Sequence, residues 1–237
     1  MSNSNSIEAL NLYAKVEDLL GIKEYSNRLY NYYYNILDDL KFDSILDIGC
    51  GSGDFLVSIK ERYNLKTLNG VDKSNYMVNI SKNRGLDIYN GDIKDIKRVY
   101  DIATATFDMV NYLTPQEFIE FFENLKKVIK PGGLFIFDVN SEFGLSDLAV
   151  GNFIAEDNSR FLAIESFYEN GLYDSKFTLF ERDKSGYKKY TQYLSQYYYS
   201  EDFFHILSGW KTRRKLPIHL YEMEKPDKIL YILESAT

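Results

Sequence analysis

The chain has 237 residues, and its 28 Lys and Arg against 35 Asp and Glu give a formal net charge of −7. That length holds one large domain or a domain with a sizeable insertion, and it rules out a scaffold too small to fold without disulfides or metals. The acidic balance argues against a generally basic, phosphate-binding surface, and the single cysteine, Cys50, excludes an intrachain disulfide and a cysteine-rich zinc site. Aromatic residues make up 16%, with 21 Tyr and 16 Phe, so many rings must face a core, an interface or a ligand pocket. Met1 to Ser6 is rich in Ser and Asn and lacks the basic flank and apolar stretch of a signal peptide. No apolar run approaches bilayer-spanning length. A cytoplasmic, reducing setting and no membrane partner are therefore expected.

Residues 1–40 read as a helical segment, with Leu29, Tyr32, Tyr33, Ile36, Leu37 and Leu40 at helical spacing. Ser44 to Ile48 is a short apolar strand running straight into Gly49-Cys50-Gly51-Ser52-Gly53. A helix over Asp54 to Tyr63 follows, then a strand over Thr67 to Val71 ending in Asp72. Ser74 caps a helix that runs to about Asn83. Leu86 to Tyr89 is a third strand and Tyr100 to Thr106 a fourth. Thr114 caps an amphipathic helix with Pro115 at its first position and Phe118, Phe121, Phe122, Leu125 and Ile129 inward, stopped by Pro131-Gly132-Gly133. Leu134 to Val139 is a fifth strand. Such alternation predicts an α/β fold, a parallel sheet with helices on both faces.

After Asn140 the alternation breaks. Arg160 to Tyr168, Tyr173 to Arg182 and Tyr187 to Tyr199 are three extended segments separated by Asn170-Gly171 and by Asp183-Lys184-Ser185-Gly186, an antiparallel insertion. Ser200 caps a short helix ending at Gly209. Two late strands, near Arg213 to Tyr221 and Lys228 to Leu233, are joined without a helix and pair antiparallel at a sheet edge. The expected division is a helical segment at 1–40, a core at 41–141 and 200–237, and the insertion at 142–199.

The sharpest chemistry lies in Asp47 to Gly53. Glycines at a strand end let the backbone turn tightly and approach a ligand, and a helix N-terminus behind them offers free N–H groups. Asp72, about 20 residues on, stands where a ribose-binding acid belongs. A dinucleotide fingerprint needs a third glycine where this chain has Asp54. Asp54 and Asp47, both expected to be ionised at neutral pH, oppose a phosphate ligand and suit one carrying a sulfonium and an ammonium group.

At this point the sequence resembles the class I S-adenosylmethionine-dependent methyltransferases. The matching pieces are Leu46-Asp47-Ile48-Gly49-Cys50-Gly51-Ser52-Gly53, Gly70-Val71-Asp72-Lys73-Ser74, Asn90-Gly91-Asp92-Ile93 and Val128-Ile129-Lys130-Pro131-Gly132-Gly133-Leu134. The resemblance covers Asp43 to Asn140. It implies a Rossmann-like sheet of seven strands, with strand seven antiparallel between five and six, and S-adenosyl-L-methionine as cofactor. It also implies roles. Asp47, Gly49, Cys50, Gly51 and Gly53 hold the methionine part, Asp72 with Lys73 beside it binds the ribose, Asp92 and the Ile93 N–H read the adenine, and Phe107 lines the sulfonium end.

Tyr100 to Leu113 resembles the fourth-strand motif of small-molecule members such as glycine and amino-sugar N-methyltransferases, and lacks the Asn/Asp-Pro-Pro-Tyr/Phe motif that methylates nucleobase nitrogens. No DNA partner is expected; the partner is a small-molecule acceptor of the methyl group on nitrogen or oxygen, with the protein a monomer or homodimer. Methyl transfer needs an in-line nucleophile more than an elaborate catalyst. Asp108, Asn111 and Tyr112, just past the fourth strand, are the candidates to orient it. The insertion is expected to cover the acceptor, or to pack one face on the main sheet. His205 and His219 have no Cys or second His at ligand spacing, so no metal is expected. Lys211, Arg213, Arg214 and Lys215 read as a solvated strand face. Two other readings stay open: a non-catalytic cofactor-binding or partner-binding module on the same fold, and an NAD-type oxidoreductase, which Asp54 disfavours.

Overall fold

The computed structural model describes residues 5–236, so most of the Met1 to Ser6 segment lies outside the described residues. Helix α1 (Ile7–Val16) starts at Ser6, whose hydroxyl accepts from the Ala9 N–H, and a tight turn leads to α2 (Lys23–Leu37). The core then alternates: β1 (Ser44–Ile48), α3 (Asp54–Arg62), β2 (Thr67–Asp72), α4 (Asn75–Asn83), β3 (Ile88–Asn90), β4 (Tyr100–Ala105), α5 (Pro115–Leu125) and β5 (Ile129–Asn140). Ser74 caps α4, and Thr114 with Glu117 forms a reciprocal capping box at α5. After the excursion β6 (Gly151–Glu156), β7 (Arg160–Glu169), β8 (Leu172–Asp183) and β9 (Gly186–Tyr197), the chain returns through α6 (Glu201–His205) to β10 (Trp210–Ile218) and β11 (Lys228–Ser235).

Seven strands form one sheet in the order β10-β11-β5-β4-β1-β2-β3. β11 runs antiparallel to both neighbours, while β5, β4, β1, β2 and β3 are mutually parallel. This is the expected fold, with the last strand reversed and inserted. Alternating strand residues serve the two faces. Leu46, Ala103, Phe135 and Phe137 meet Phe118, Phe121, Phe122 and Leu125 of α5, while Ile45, Ile102 and Ile136 meet Leu29, Tyr33 and Leu37 of α2 and Phe55 and Ile59 of α3. Each such ring or branched chain contributes about 1.5–3 kcal/mol on burial.

Three local expectations change. Helix α5 ends at Leu125 rather than at the Pro-Gly-Gly, and Ile129 belongs to β5. The Tyr100 N–H donates to the Val128 carbonyl at 2.8 Å and Tyr100 pairs Ile129, so these apolar residues join β4 before the register jumps to Leu134. The third strand is shorter, starting at Ile88. The excursion holds four strands in a separate sheet, β6-β7-β8-β9, because Gly151–Glu156 pairs as an edge strand with β7. Its strong signal, Asn170-Gly171, does turn β7 into β8, with both residues left-handed (φ 52° and 81°).

The second sheet joins the core of the main one through Leu172 and Tyr197, and its inner face packs on another element. Leu162, Ile164, Phe177, Leu179 and Leu194 on its inner face bury Ala9, Leu12 and Val16 of α1. Those three positions recur at i, i+3 and i+7, one face of a helix. α1 is therefore clasped between the second sheet and the rim of the first, where Ser74 donates to Asn11 at 2.6 Å.

Candidate active site

Two cavities lie side by side at the carboxyl ends of the parallel strands, where open α/β sheets bind ligands. The first, about 450 Å³, is lined by the β1 loop, the β2 tip, the turn after β3 and the N-terminal helices. The second, about 510 Å³, lies between the ends of β4, β5 and β11 and the inner face of the second sheet. Tyr13, Ile22, Phe107 and Tyr112 line both, so the two meet there.

The first cavity is built on the glycine loop. Gly49 (φ 68°) donates to the Val71 carbonyl, and a Cβ there would sit 2.4 Å from Met109 Cγ, so any side chain would be strained and would have to displace Met109. Gly51 is also left-handed (φ 52°), with nothing within 4 Å of a Cβ position. Asp72 holds this loop open. Its carboxylate accepts the Gly51 N–H at 2.9 Å and the Ser74 N–H at 2.8 Å, leaving lone pairs toward the cavity it lines. Burial pushes its carboxyl up, opposed by those two N–H bonds. Asp92 caps the turn at Ile93 and pairs with Lys73 at 2.9 Å.

Of the sequence candidates, Gly49, Cys50, Gly51, Asp72, Lys73, Asp92, Ile93 and Phe107 line this cavity. Asp47 and Gly53 do not. Gly53 packs against Leu86 and Ser81. Asp47 is 1% exposed; its Oδ1 accepts from Thr104 at 2.7 Å, and its Oδ2 has no partner among the described residues. Burial pushes its carboxyl up to about 7, the Thr104 bond opposing and Asp72 adding to the rise. The expectation that Asp47 is simply ionised at neutral pH therefore changes: in this site it titrates near pH 7. Asp54 does line the cavity, partly neutralised by Arg84 at 2.6 Å. Sequence reasoning missed the cover: Tyr13, Glu17 and Tyr30 of the N-terminal segment line the same space. Burial pushes Glu17 up, opposed by Lys23. Those residues read as amphipathic helix, and only the tertiary packing turns them inward.

The turn after β4 sets the floor of the second cavity. Phe107 and Asp108 are both left-handed (φ 55° and 53°), a costly conformation for side-chain-bearing residues. Asp138, fully buried at the end of β5, accepts both of their N–H groups at 2.9 Å and the Tyr33 hydroxyl at 2.6 Å. So held, Asp108 lines the second cavity, taking bonds from Gln196 and Lys228. Lys228 is 3% exposed and also donates to Asn140 at 2.7 Å, with Asp138 at 3.4 Å. Burial works against its ammonium, but the two carboxylates outweigh burial and hold Lys228 well above the ordinary lysine range. No sequence signal marked Lys228; a lysine opening an apolar strand reads as a solvated edge. Tyr112 lines both cavities with its ring edge-on to Tyr13 at 6.4 Å. Asn111 is turned away from both. It is fully buried, its Nδ2 donating to the Tyr197 carbonyl at 2.8 Å and its Oδ1 accepting the Asn140 N–H at 2.9 Å, a clamp between β5 and β9.

His205 Nε2 lies 3.9 Å from a Glu201 carboxylate oxygen and His219 faces the Met223 carbonyl at 2.9 Å; neither lines a cavity. Among the described residues no cluster of three metal-ligating side chains forms, and no helix is long and apolar enough to cross a membrane. The basic cluster lies exposed on edge strand β10, with Arg213 against Glu234 and Lys215 against Glu201.

Residues 45–133 match the family model described as a methyltransferase domain. Among curated relatives, the malonyl-[acyl-carrier protein] O-methyltransferase of Calditerrivibrio nitroreducens is 32% identical over 112 residues, covering 46% of this chain and 42% of its own length. The chain spans about half the length of most of the curated relatives it matches. Among solved structures, an S-adenosylmethionine-dependent methyltransferase from Clostridium acetobutylicum superposes with a TM-score of 0.75 at 23% identity, covering 96% of this chain and 99% of that one. The sugar N-methyltransferase KedS8 from Streptoalloteichus superposes with a TM-score of 0.69 at 15% identity, covering 100% and 96%.

Proposed function

We propose that this chain, a member of the methyltransferase family through its domain at residues 45–133, moves a methyl group from S-adenosylmethionine to a nitrogen or oxygen of a small molecule. The observation that carries this reading is the pair of cavities meeting at Tyr13, Ile22, Phe107 and Tyr112. One is suited to the methyl donor, the other to the acceptor, and transfer needs both ligands in line.

The residues present fit the donor. Glu17, Asp54, Asp72, Asp92, Glu117 and Glu120 outnumber Lys73 and Lys94 in the lining of the first cavity, a balance that disfavours a pyrophosphate. The open face at Gly51 admits the amino-acid part, Asp72 accepts from ribose hydroxyls, and Asp92 with Ile93 faces the base. Bound S-adenosylmethionine supplies an electrophilic methyl carbon: the nucleophile's lone pair takes it as the C–S bond breaks, and the bonding pair stays on sulfur. Phe107 and Tyr112 stand at the junction. Asp108, facing the acceptor, is the group placed to take the nucleophile's proton and pass it to solvent. A non-catalytic module has no use for a second built cavity meeting the first. Calorimetry with S-adenosylhomocysteine, followed by methyl transfer to a panel of amines and alcohols, tests the proposal. Saturable binding with turnover is expected; absence of binding would overturn it.

A further inference from the structure

The carboxylates lining the first cavity differ in what holds them. Asp72 accepts from Gly51 and Ser74, Asp54 from Arg84 and Ser52, and Asp92 from the Lys94 N–H, with Lys73 at 2.9 Å. On α5, Glu117 accepts the Thr114 N–H and Glu120 the Gln116 amide. Glu17 lines the same cavity, half-buried, and among the described residues no group hydrogen-bonds to its carboxylate. It opens the tight turn after α1. The charges acting on it most are Lys23, Asp54, Asp18 and Asp72, and not Asp92, which places it at the glycine-loop end of the cavity. Lys23, the one cation among them, pairs with Asp54 at 3.8 Å instead. The two lysines of the lining, Lys73 and Lys94, stand beside Asp92 at the other end.

We propose that Glu17 receives the ammonium of the methyl donor's amino-acid part, so that the donor fastens the N-terminal cover over itself and ligands lacking that ammonium leave the cover unfastened. This rests on the first cavity being the donor site. With the base at Asp92 and Ile93 and the ribose at Asp72, the amino-acid part extends to the glycine-loop end, where Glu17 is the carboxylate with its lone pairs unclaimed. A hydrogen bond between an ammonium and a carboxylate is about twice as strong as a neutral one. It also offsets the repulsion that Glu17 meets from Asp54, Asp18 and Asp72 in the ligand-free protein. A ligand shifts a cover toward closure only through an interaction that the open state lacks. Glu17 supplies one, because its turn follows α1, which the second sheet seats. The amino group then selects the ligand: an adenosine thioether without it reaches the same ribose and base contacts and leaves Glu17 unpaired.

The test is calorimetry on the full chain with three ligands: S-adenosylhomocysteine, its desamino analogue, which keeps the carboxylate and lacks only the ammonium, and 5′-methylthioadenosine, which lacks both. The wild-type protein is expected to bind S-adenosylhomocysteine about tenfold more tightly than the desamino analogue; equal binding would overturn the proposal. Glu17→Gln is expected to weaken S-adenosylhomocysteine about tenfold and to leave the other two ligands within about twofold. A merely structural Glu17 would weaken all three alike, and that result, or an unchanged affinity for S-adenosylhomocysteine, would overturn the proposal. Amide exchange in the wild-type protein gives a second reading should the variant fail to fold. Saturating S-adenosylhomocysteine is expected to slow exchange over residues 7–20 more than saturating 5′-methylthioadenosine does, and equal slowing would overturn the proposal. Failure of the wild-type protein to bind S-adenosylhomocysteine at all would instead overturn the methyltransferase reading.

Discussion

Asp72 has two tasks in one carboxylate: it pins the glycine loop through Gly51 and Ser74, and it faces the cavity where a ribose would sit. Asp72→Ala is expected to weaken S-adenosylhomocysteine binding by about 1.5–3 kcal/mol while the protein keeps a cooperative melt; unchanged affinity by calorimetry would remove Asp72 from the ribose. Asp47 makes a different prediction. Its carboxyl, raised to about 7 by burial, holds a proton in the native state that the unfolded chain has already lost. Between about pH 4 and pH 7 the native state therefore binds more protons, and this group's contribution to stability falls as pH rises. Asp47→Asn should stabilise the ligand-free protein by on the order of 2–4 kcal/mol at pH 8 and by nothing near pH 4, as read by urea denaturation. Both acids were legible as positions, at strand ends near glycines, but the burial of Asp47 behind the cavity was not. Lys228, Gln196 and Asp138 were not, since each is an ordinary residue within a strand whose meaning comes from three strands converging. Asn111 was legible as a position and misread as a role: nothing in a sequence says which way a buried amide turns.

At the scale of elements, the alternating core was legible because each strand and helix carries its own period and caps. The excursion was legible as hairpins through Asn170-Gly171, but β6 was not, its strand being almost wholly exposed and lacking an inward apolar face. Nor does any local pattern say that α1, far away in sequence, fills the inner face of the second sheet. That packing couples the two cavities. α1 carries Tyr13 at their junction, and Glu17 directly beyond it, so its seat on the sheet positions the cover of the first cavity. Leu12→Ala removes a buried anchor that lines neither cavity. It should cost about 2–4 kcal/mol of stability and also weaken S-adenosylhomocysteine binding severalfold; a stability loss with affinity intact would show the cover to be independent of its seat.

For the whole molecule, charge and shape point the same way. The net charge of −7 is matched by an acidic lining in the first cavity, so the long-range field and the local one both favour a cationic ligand over a phosphate. Saturable binding of S-adenosylhomocysteine is expected under conditions where NAD gives no heat of binding and does not compete. NAD competing at the same site would reverse the choice between the two ligands. The two sheets share no strand, and the single side-chain amide of Asn111 reaches both the residue where the chain leaves the core and the one where it comes back. Departure and return are thus fastened to each other before the excursion begins. A graft between residues 140 and 197 is therefore expected to succeed only where it keeps the apolar inner face that seats α1, because α1 and the residue after it carry Tyr13 and Glu17 over the first cavity.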